Sequence, residues 1–147
     1  LKLNSYKYLQ INKNLIPTGR FKSVKKSIYN FLNFENIGKK LDYFKNKNLN
    51  IKFKGFDTTF VIKKNTRNLV GTLKNNKSNI QVDFFSNLPG VQLYSAQNLN
   101  YKKKLFPYQG ICLETQYFPD TPNKKNFPST LIEPNKRYTC FTKIKIS

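Results

Sequence analysis

The sequence predicts an all-β chain folded as an antiparallel β-sandwich, and two observations lead to that prediction. Short runs of alternating apolar and polar residues, separated by turn-forming residues, fill most of the 147 positions. Helical periodicity is weak along the whole chain. Many short strands with almost no helix are typical of packed β-sheets rather than of helical or mixed folds. A chain of this length suits one domain with one sizeable core.

Eight segments carry the strand pattern. In chain order they are residues 6–11, 51–56, 58–63, 69–73, 80–85, 91–95, 111–117 and 138–146. In the last segment Lys143 and Lys145 occupy one face, and the other face is formed by Tyr138, Cys140, Thr142, Ile144 and Ile146. One apolar and one charged face predict a half-exposed strand.

Residues 27–41 hold the strongest helical signal, and it is weak. Four apolar residues have helical spacing, but four poor helix formers interrupt them: Asn30, Asn33, Asn36 and Gly38. We therefore expect at most one short helical turn there. The Asn- and Lys-rich segments 45–50 and 74–79 are predicted as loops or turns.

The net charge of +20 is a weak guide to function. A basic chain can bind nucleic acid, but such surfaces usually cluster their charge and use Arg forks. Here 27 basic residues are scattered and only Arg20, Arg67 and Arg137 are Arg. We therefore expect no nucleic-acid partner, and the basic run at 102–104 is predicted as a solvated loop. No apolar run approaches the roughly 18 residues that a transmembrane helix needs, so no membrane partner is expected.

Cysteine and histidine content bears on metal binding and on location. The chain has Cys112 and Cys140 and no His, which leaves too few soft ligands for a zinc site. The first residues lack a signal-peptide pattern, so we expect a cytoplasmic protein with two reduced, partly buried thiols. The absence of Met leads us to expect a piece of a longer product, although removal of the initiator Met in processing would give the same sequence.

Four segments carry motifs that occur in the same order in one family. They read NLIPTG at 14–19, GFDTTF at 55–60, LPGVQLY at 88–94 and GICLETQYFPDTPN at 110–123, the last followed by NFPS at 126–129. Together they resemble the aldose 1-epimerase (galactose mutarotase) family. Each short match is weak alone, but four in the family's order, across nearly the whole chain, are strong support for homology.

The resemblance implies a fold and a place in that fold. It implies the C-terminal part of a galactose mutarotase-like supersandwich, with residues 1–147 as the C-terminal portion of a single domain whose N-terminal half is absent. Family members carry an H-x-Y-F-N-L motif just before the region of resemblance. That motif holds the proposed general-acid His, and a second His and an Arg that contact the sugar also lie upstream.

The resemblance also implies site residues. Glu114 corresponds to the general base, and Asp57 and Gln92 to groups that bind the sugar. Read without the family, Glu114 is a solvated strand residue, Asp57 a turn residue bonding its own backbone, and Gln92 an exposed strand residue. The implied reaction is general acid–base mutarotation of a free aldose, without metal or other cofactor.

The chain departs from the family pattern at several positions. Thr58-Thr59 replaces His-Asn after the Asp, Ser95-Ala96-Gln97-Asn98 replaces T-G-N, and Arg20 replaces a Glu. Tyr117, Phe118 and Phe127 could line a sugar face, but they are predicted as core. Three alternatives stay open: a degenerate homologue that at most binds sugar, a basic nucleic-acid-binding β-domain, and a hexose-6-phosphate epimerase relative, against which CLETQ favours a free sugar. The preferred aldose and the oligomeric state stay undetermined.

Overall fold

The computed structural model describes residues 1–46, 54–64 and 67–147, and these residues form nine strands and one α-helix. In chain order the elements are β1 (Lys2–Leu3), β2 (Ser5–Ile11), β3 (Pro17–Ser23), α1 (Ile37–Asn46), β4 (Asp57–Ile62), β5 (Leu69–Asn75), β6 (Ile80–Ser86), β7 (Gly90–Tyr94), β8 (Cys112–Gln116) and β9 (Thr142–Ile146). A short 3-10 turn covers Thr121–Asn123.

The strands form two antiparallel sheets. The first sheet has the order β1-β5-β6-β9 and the second the order β3-β2-β4-β7-β8. Every neighbouring pair is antiparallel. The predicted all-β antiparallel class is therefore confirmed. In the part of the chain that the structure describes, no helix has the length and apolar character needed to cross a membrane.

The main core lies between the two sheets. Leu3 and Val70 reach it from the first sheet, and Phe60 and Val91 reach it from the second. Phe31 enters from the segment before α1, and its ring meets that of Phe60 with centroids 6.1 Å apart. Fully burying one such side chain stabilises the fold by about 1.5–3 kcal/mol. These contacts turn one face of the second sheet toward the core. A site can therefore form on the opposite face of that sheet.

The predicted strands agree with the structure in position more than in length. Seven of the eight predicted segments overlap an observed strand, and residues 51–53 of the remaining one lie outside the described residues. β3 was not predicted: its first three residues belong to the NLIPTG motif, and residues 20–23 were assigned to no strand. Pro17 begins this edge strand, where its missing N–H costs no ladder bond. The prediction for 138–146 was too long, since β9 begins at Thr142. Its half-exposed character was also wrong: β9 lies at the edge of the first sheet and all five of its residues are exposed.

The helix prediction was wrong. Residues 37–46 form a ten-residue helix, well beyond one turn. Asn36 does not interrupt it but caps it: its side-chain oxygen accepts a hydrogen bond from the Lys39 N–H at 3.0 Å, as N-cap residues do. Leu41 and Phe44, three positions apart, then bury one face of the helix in the core.

Two of the loop predictions differ in part from the structure, and a third agrees with it. Residues 45–46 belong to α1 rather than to a loop, while 47–50 lie outside the described residues. Residues 76–79 form the predicted turn between β5 and β6, although β5 extends to Asn75. The basic run at 102–104 is an exposed turn closed by a bridge between Tyr101 and Leu105, as predicted.

Candidate active site

Three adjacent strands of the second sheet bring the predicted site residues together. Gln92 on β7 is paired directly with Glu114 on β8 and, on its other side, with Thr59 on β4. Asp57 lies two residues before Thr59, and alternate residues of a strand share a face. Asp57, Gln92 and Glu114 therefore lie on the same face of the same sheet, although they are far apart in the sequence.

A chain of hydrogen bonds fixes the orientation of the Gln92 side chain. The Thr59 hydroxyl donates to Gln92 Oε1 at 2.5 Å, and Gln92 Nε2 donates to Asp57 Oδ1 at 2.6 Å. A carboxylate can only accept, so the amide nitrogen must face Asp57. Because an amide nitrogen carries two N–H groups, the contact with Asp57 uses only one of them.

Burial decreases along this row of polar side chains. Thr59 is 5% exposed, Asp57 and Gln92 are half-buried, and Glu114 is exposed on the edge strand β8. An exposed carboxylate can take up and release a proton, whereas the half-buried carboxylate and amide can hold hydroxyl groups of a ligand. The arrangement thus provides one carboxylate open to solvent beside two fixed polar groups.

The loop before Asp57 is held by the residue that follows β7. Ser95 Oγ accepts a hydrogen bond from the Phe56 N–H at 2.8 Å, and the Ser95 N–H donates to the Phe56 carbonyl at 3.0 Å. This contact requires glycine at position 55, since a Cβ there would lie 2.5 Å from Ser95 Oγ and 2.7 Å from Gln97 Oε1. Ser95 and Gln97, two of the residues that replace T-G-N, therefore lie directly against the glycine of the GFD motif.

A small aromatic cluster covers the other end of the same face. Phe118 and Phe127 pack with Leu9 and are buried, which confirms their prediction as core residues. Glycine at position 90 favours this packing, because a Cβ there would make a tight contact, 3.1 Å, with the Phe118 ring. Tyr117 is only half-buried, so the prediction of a core position fits it less well.

A groove of about 900 Å³ lies beside the aromatic cluster, and it does not coincide with the polar row. Its lining includes Phe118, Tyr117, Leu88 and Lys63 but none of Asp57, Gln92 and Glu114. Size alone would select the groove as a binding site. Of the two, the polar row is the better candidate, because it combines carboxylates with a fixed amide, whereas the lining of the groove holds no carboxylate.

The turn after Phe118 is cross-linked by polar side chains. Lys124 Nζ lies 2.6 Å from Asp120 Oδ2, and Asn123 Nδ2 donates to Asp120 Oδ1. The hydrogen bond from Lys124, and then that from Asn123, lowers the pKa of the Asp120 carboxyl below its ordinary value of 3.8. Thr121 Oγ1 donates to the Phe118 carbonyl at 2.6 Å, so the turn holds Phe118 over the sheet.

Thr59 is the residue that sequence reasoning missed. It was treated only as a departure from the family motif, but its hydroxyl supports the amide of Gln92. Strand alternation carried the signal, because a threonine two positions after Asp57 must share its face. A buried hydroxyl needs a polar partner, and Gln92 on the neighbouring strand β7 is that partner.

The two thiols are free. Cys112 is half-buried, two residues before Glu114 and therefore on its face, whereas Cys140 is exposed, contrary to the expectation of partial burial. Residue 140 lies outside the strands, two positions before β9 begins. Within residues 1–46, 54–64 and 67–147, no group of three or more His, Cys, Asp or Glu side chains could hold a metal ion.

Comparison with known proteins gives one family. The family model for aldose 1-epimerase matches residues 1–145. The human galactose mutarotase is 31% identical, over 95% of this chain and 41% of its own length. The aldose 1-epimerase of Escherichia coli K12 is 24% identical, over 97% of this chain and 43% of its own length. The chain thus spans about two fifths of the length of these relatives.

Two solved structures share the fold. An aldose epimerase homologue from C. elegans superposes with a TM-score of 0.85 at 19% identity, over 99% of this chain and 44% of that one. A galactose 1-epimerase from Lactobacillus acidophilus NCFM gives a TM-score of 0.75 at 20% identity, over 99% and 42%. The structures show the shared fold, and the family match over residues 1–145 shows that the chain belongs to the aldose 1-epimerase family.

Proposed function

We propose that residues 1–147 form the C-terminal, base-carrying part of an aldose 1-epimerase domain that interconverts the α and β anomers of free hexoses such as galactose or glucose. The observation that carries the proposal is the meeting of Asp57, Gln92 and Glu114 on one face of adjacent strands. Each comes from a different family motif, so their meeting is not a consequence of local sequence.

Each side chain has a role in the proposed reaction. The Glu114 carboxylate removes the proton from the anomeric hydroxyl while a general acid protonates the ring oxygen, and the bond between the anomeric carbon and the ring oxygen breaks. The open aldehyde rotates, and ring closure on its other face returns both protons. Asp57 accepts a hydrogen bond from a sugar hydroxyl, and the second N–H of Gln92 donates to another.

The general acid comes from outside residues 1–147. The sequence contains no His, and Lys, with a reference pKa of about 10.4, is a weak proton donor at neutral pH. Losing one partner of an acid–base pair costs about 10² to 10⁴ in rate. We therefore expect little or no mutarotase activity from the 147-residue chain alone.

Polarimetry on freshly dissolved α-galactose tests the proposal. The chain alone should leave the approach to anomeric equilibrium at its uncatalysed rate. Adding the upstream portion of the human galactose mutarotase should accelerate it, and Glu114→Gln should reduce the acceleration by about 10² to 10⁴. If the chain alone accelerates mutarotation and Glu114→Gln does not, a group within these residues supplies the proton.

A second candidate is a sugar-binding remnant without catalysis. The replacement of His-Asn by Thr58-Thr59 favours it, because two polar groups of the family motif are changed beside Asp57. This candidate predicts that galactose still binds the polar row, while the upstream portion restores no activity. The polarimetry above, combined with a binding titration, separates the two candidates.

A further inference from the structure

The loop between β7 and β8 presents basic and apolar side chains together at its tip. Three consecutive lysines, residues 102–104, form a turn that is closed by the bridge between Tyr101 and Leu105. All three lysines are exposed. The apolar side chains beside them are exposed as well: 53% for Tyr101, 43% for Leu105 and 51% for Phe106. We call residues 101–106 the basic tip.

Hydrogen bonds hold both the turn and the base of this loop. In the turn the Lys104 N–H donates to the Tyr101 carbonyl at 2.8 Å. At the base the Tyr108 N–H donates to the Ala96 carbonyl at 2.9 Å, and the Tyr108 hydroxyl donates to the Lys54 carbonyl at 2.7 Å. The basic tip is therefore displayed from an anchored base, and less conformational entropy is lost when it binds a partner.

The charge around the basic tip is all of one sign. No Asp or Glu occurs in the sequence between Asp83 and Glu114, and within the described part of the chain none of the ion pairs involves a lysine of the tip. The turn at 76–79 is a useful contrast, because it holds Lys77 among polar residues only. A lysine-rich composition explains a turn like 76–79, but it does not explain the exposed apolar side chains of the tip.

This combination fits an anionic lipid surface better than a nucleic acid. Lysines are attracted to anionic headgroups, tyrosine lies at the level of the headgroups, and leucine and phenylalanine enter the acyl boundary. Nucleic-acid surfaces favour Arg forks and flat rings that stack on bases, whereas the tip has no Arg and includes the aliphatic Leu105. The expectation of no membrane partner was based on spanning helices, and a loop that lies on a bilayer needs no long apolar run.

We propose that the basic tip docks this chain on anionic lipid bilayers. The three lysines contact the headgroups, while Tyr101, Leu105 and Phe106 leave water for the interface. The net charge of +20 adds a long-range attraction to the same surface. This inference does not depend on the proposed mutarotase function, because no residue of the polar row lies in the tip.

Tryptophan fluorescence tests whether the tip enters a bilayer. The chain has no Trp, so Phe106→Trp gives a single reporter at the tip. Its emission should shift to the blue on vesicles of about three parts phosphatidylcholine to one part phosphatidylserine, and lipids brominated on the acyl chain should quench it. Vesicles of phosphatidylcholine alone should have no effect. Ile80→Trp, at a side chain 48% exposed beside the turn at 76–79, is the control reporter and should not shift.

Co-sedimentation with the same vesicles separates the tip from the net charge of the chain. The tip variant is Lys102→Gln/Lys103→Gln/Lys104→Gln. The control variant loses the same charge at exposed positions elsewhere and is Lys25→Gln/Lys74→Gln/Lys77→Gln. At about fivefold per lysine, the tip variant should bind roughly 100-fold more weakly than the parent, and the control variant should lose far less. Circular dichroism checks that each variant keeps the fold of the parent.

Four results would overturn the lipid-binding tip. The first is no binding of the parent chain to the phosphatidylserine vesicles, and the second is binding that leaves the tip reporter unshifted. The third is an equal loss of binding in the tip and control variants, which would assign the binding to net charge. The fourth is a shift of the tip reporter with a single-stranded RNA oligonucleotide, but not with vesicles, which would assign the tip to nucleic acid.

Discussion

The two ends of this sandwich differ in how completely the apolar side chains are covered. At the closed end Phe31, Phe56 and Phe60 are at most 1% exposed, and their rings meet edge to face. At the open end Ile144 and Ile146 lie on the core side of β9 but stay largely exposed. Phe60 on β4 and the two isoleucines on β9 all occupy core-facing positions of strands. The difference teaches that alternation predicts which side of a strand faces a core, while coverage depends on what packs against it.

The polar row lies between these two ends. It runs from Thr59, which is buried, to Glu114, which is exposed on the edge strand β8. Its buried part is already fixed by hydrogen bonds, whereas its exposed part holds the carboxylate proposed as the base. The buried part of the site, Thr59 with Gln92 and Asp57, is therefore preformed by hydrogen bonds, whereas Glu114 stays exposed to solvent.

The largest expected difference is in core stability. Phe60→Ala should lower the free energy of unfolding by about 3–5 kcal/mol, because it leaves a cavity in the closed core. Ile144→Ala should change it by no more than about 0.5 kcal/mol in the isolated chain, because its side chain is already in water. Urea denaturation followed by circular dichroism measures both. Equal losses would mean that β9 is covered in solution and would contradict the comparison.

The two carboxylates of the row should differ in the same sense. Asp57→Ala should cost about 1.5–3 kcal/mol, because it removes a charged acceptor from the Gln92 amide. Glu114→Gln should stay within about 0.5 kcal/mol, as expected for an exposed side chain. Thermal or urea unfolding of the two variants checks this. A large loss in the Glu114 variant would assign that residue a structural role.

Thr59 provides a sharper probe of the fixed part of the row. Thr59→Val should cost about 1–2 kcal/mol, since the Gln92 carbonyl oxygen loses its donor in a half-buried place. Thr59→Ser keeps the hydroxyl and loses only a methyl group, about 0.8 kcal/mol. The side-chain amide resonances of Gln92 should move in the valine variant and stay in place in the serine variant. The reverse pattern would show that Thr59 does not orient Gln92.

Strand positions and family could be predicted from the sequence, whereas the hydrogen bonds of the site, the helix and the exposure of β9 could not. Alternation placed Asp57, Gln92 and Glu114 on strands, and motif order put them in one family, but their hydrogen bonds depend on strand register, which no local pattern encodes. The helix at 37–46 was missed because Asn36 was read as a breaker rather than as an N-cap, and only the bond to Lys39 distinguishes the two. The exposure of β9 depends on neighbours outside the strand.

The smallest expected effect is electrostatic and lies in the turn that holds Phe118. The folded pKa of Asp120 is lowered by its bonds to Lys124 and Asn123. A lowered folded pKa contributes stability above the ordinary value of 3.8, and that contribution is lost as the pH falls through the folded pKa. Asp120→Asn should therefore flatten the acid limb of a stability–pH curve. An unchanged acid limb would show that the carboxylate is not held by these partners.

The most direct test of the central claim is a titration of the isotope-labelled 147-residue chain with D-galactose, followed by NMR. If Asp57, Gln92 and Glu114 form the sugar-binding face, chemical-shift changes will cluster on β4, β7 and β8, will include the Gln92 side-chain amide, and will weaken in Asp57→Ala. Changes confined to the groove around Leu88 and Tyr117, or no changes in a large excess of sugar, would contradict the account.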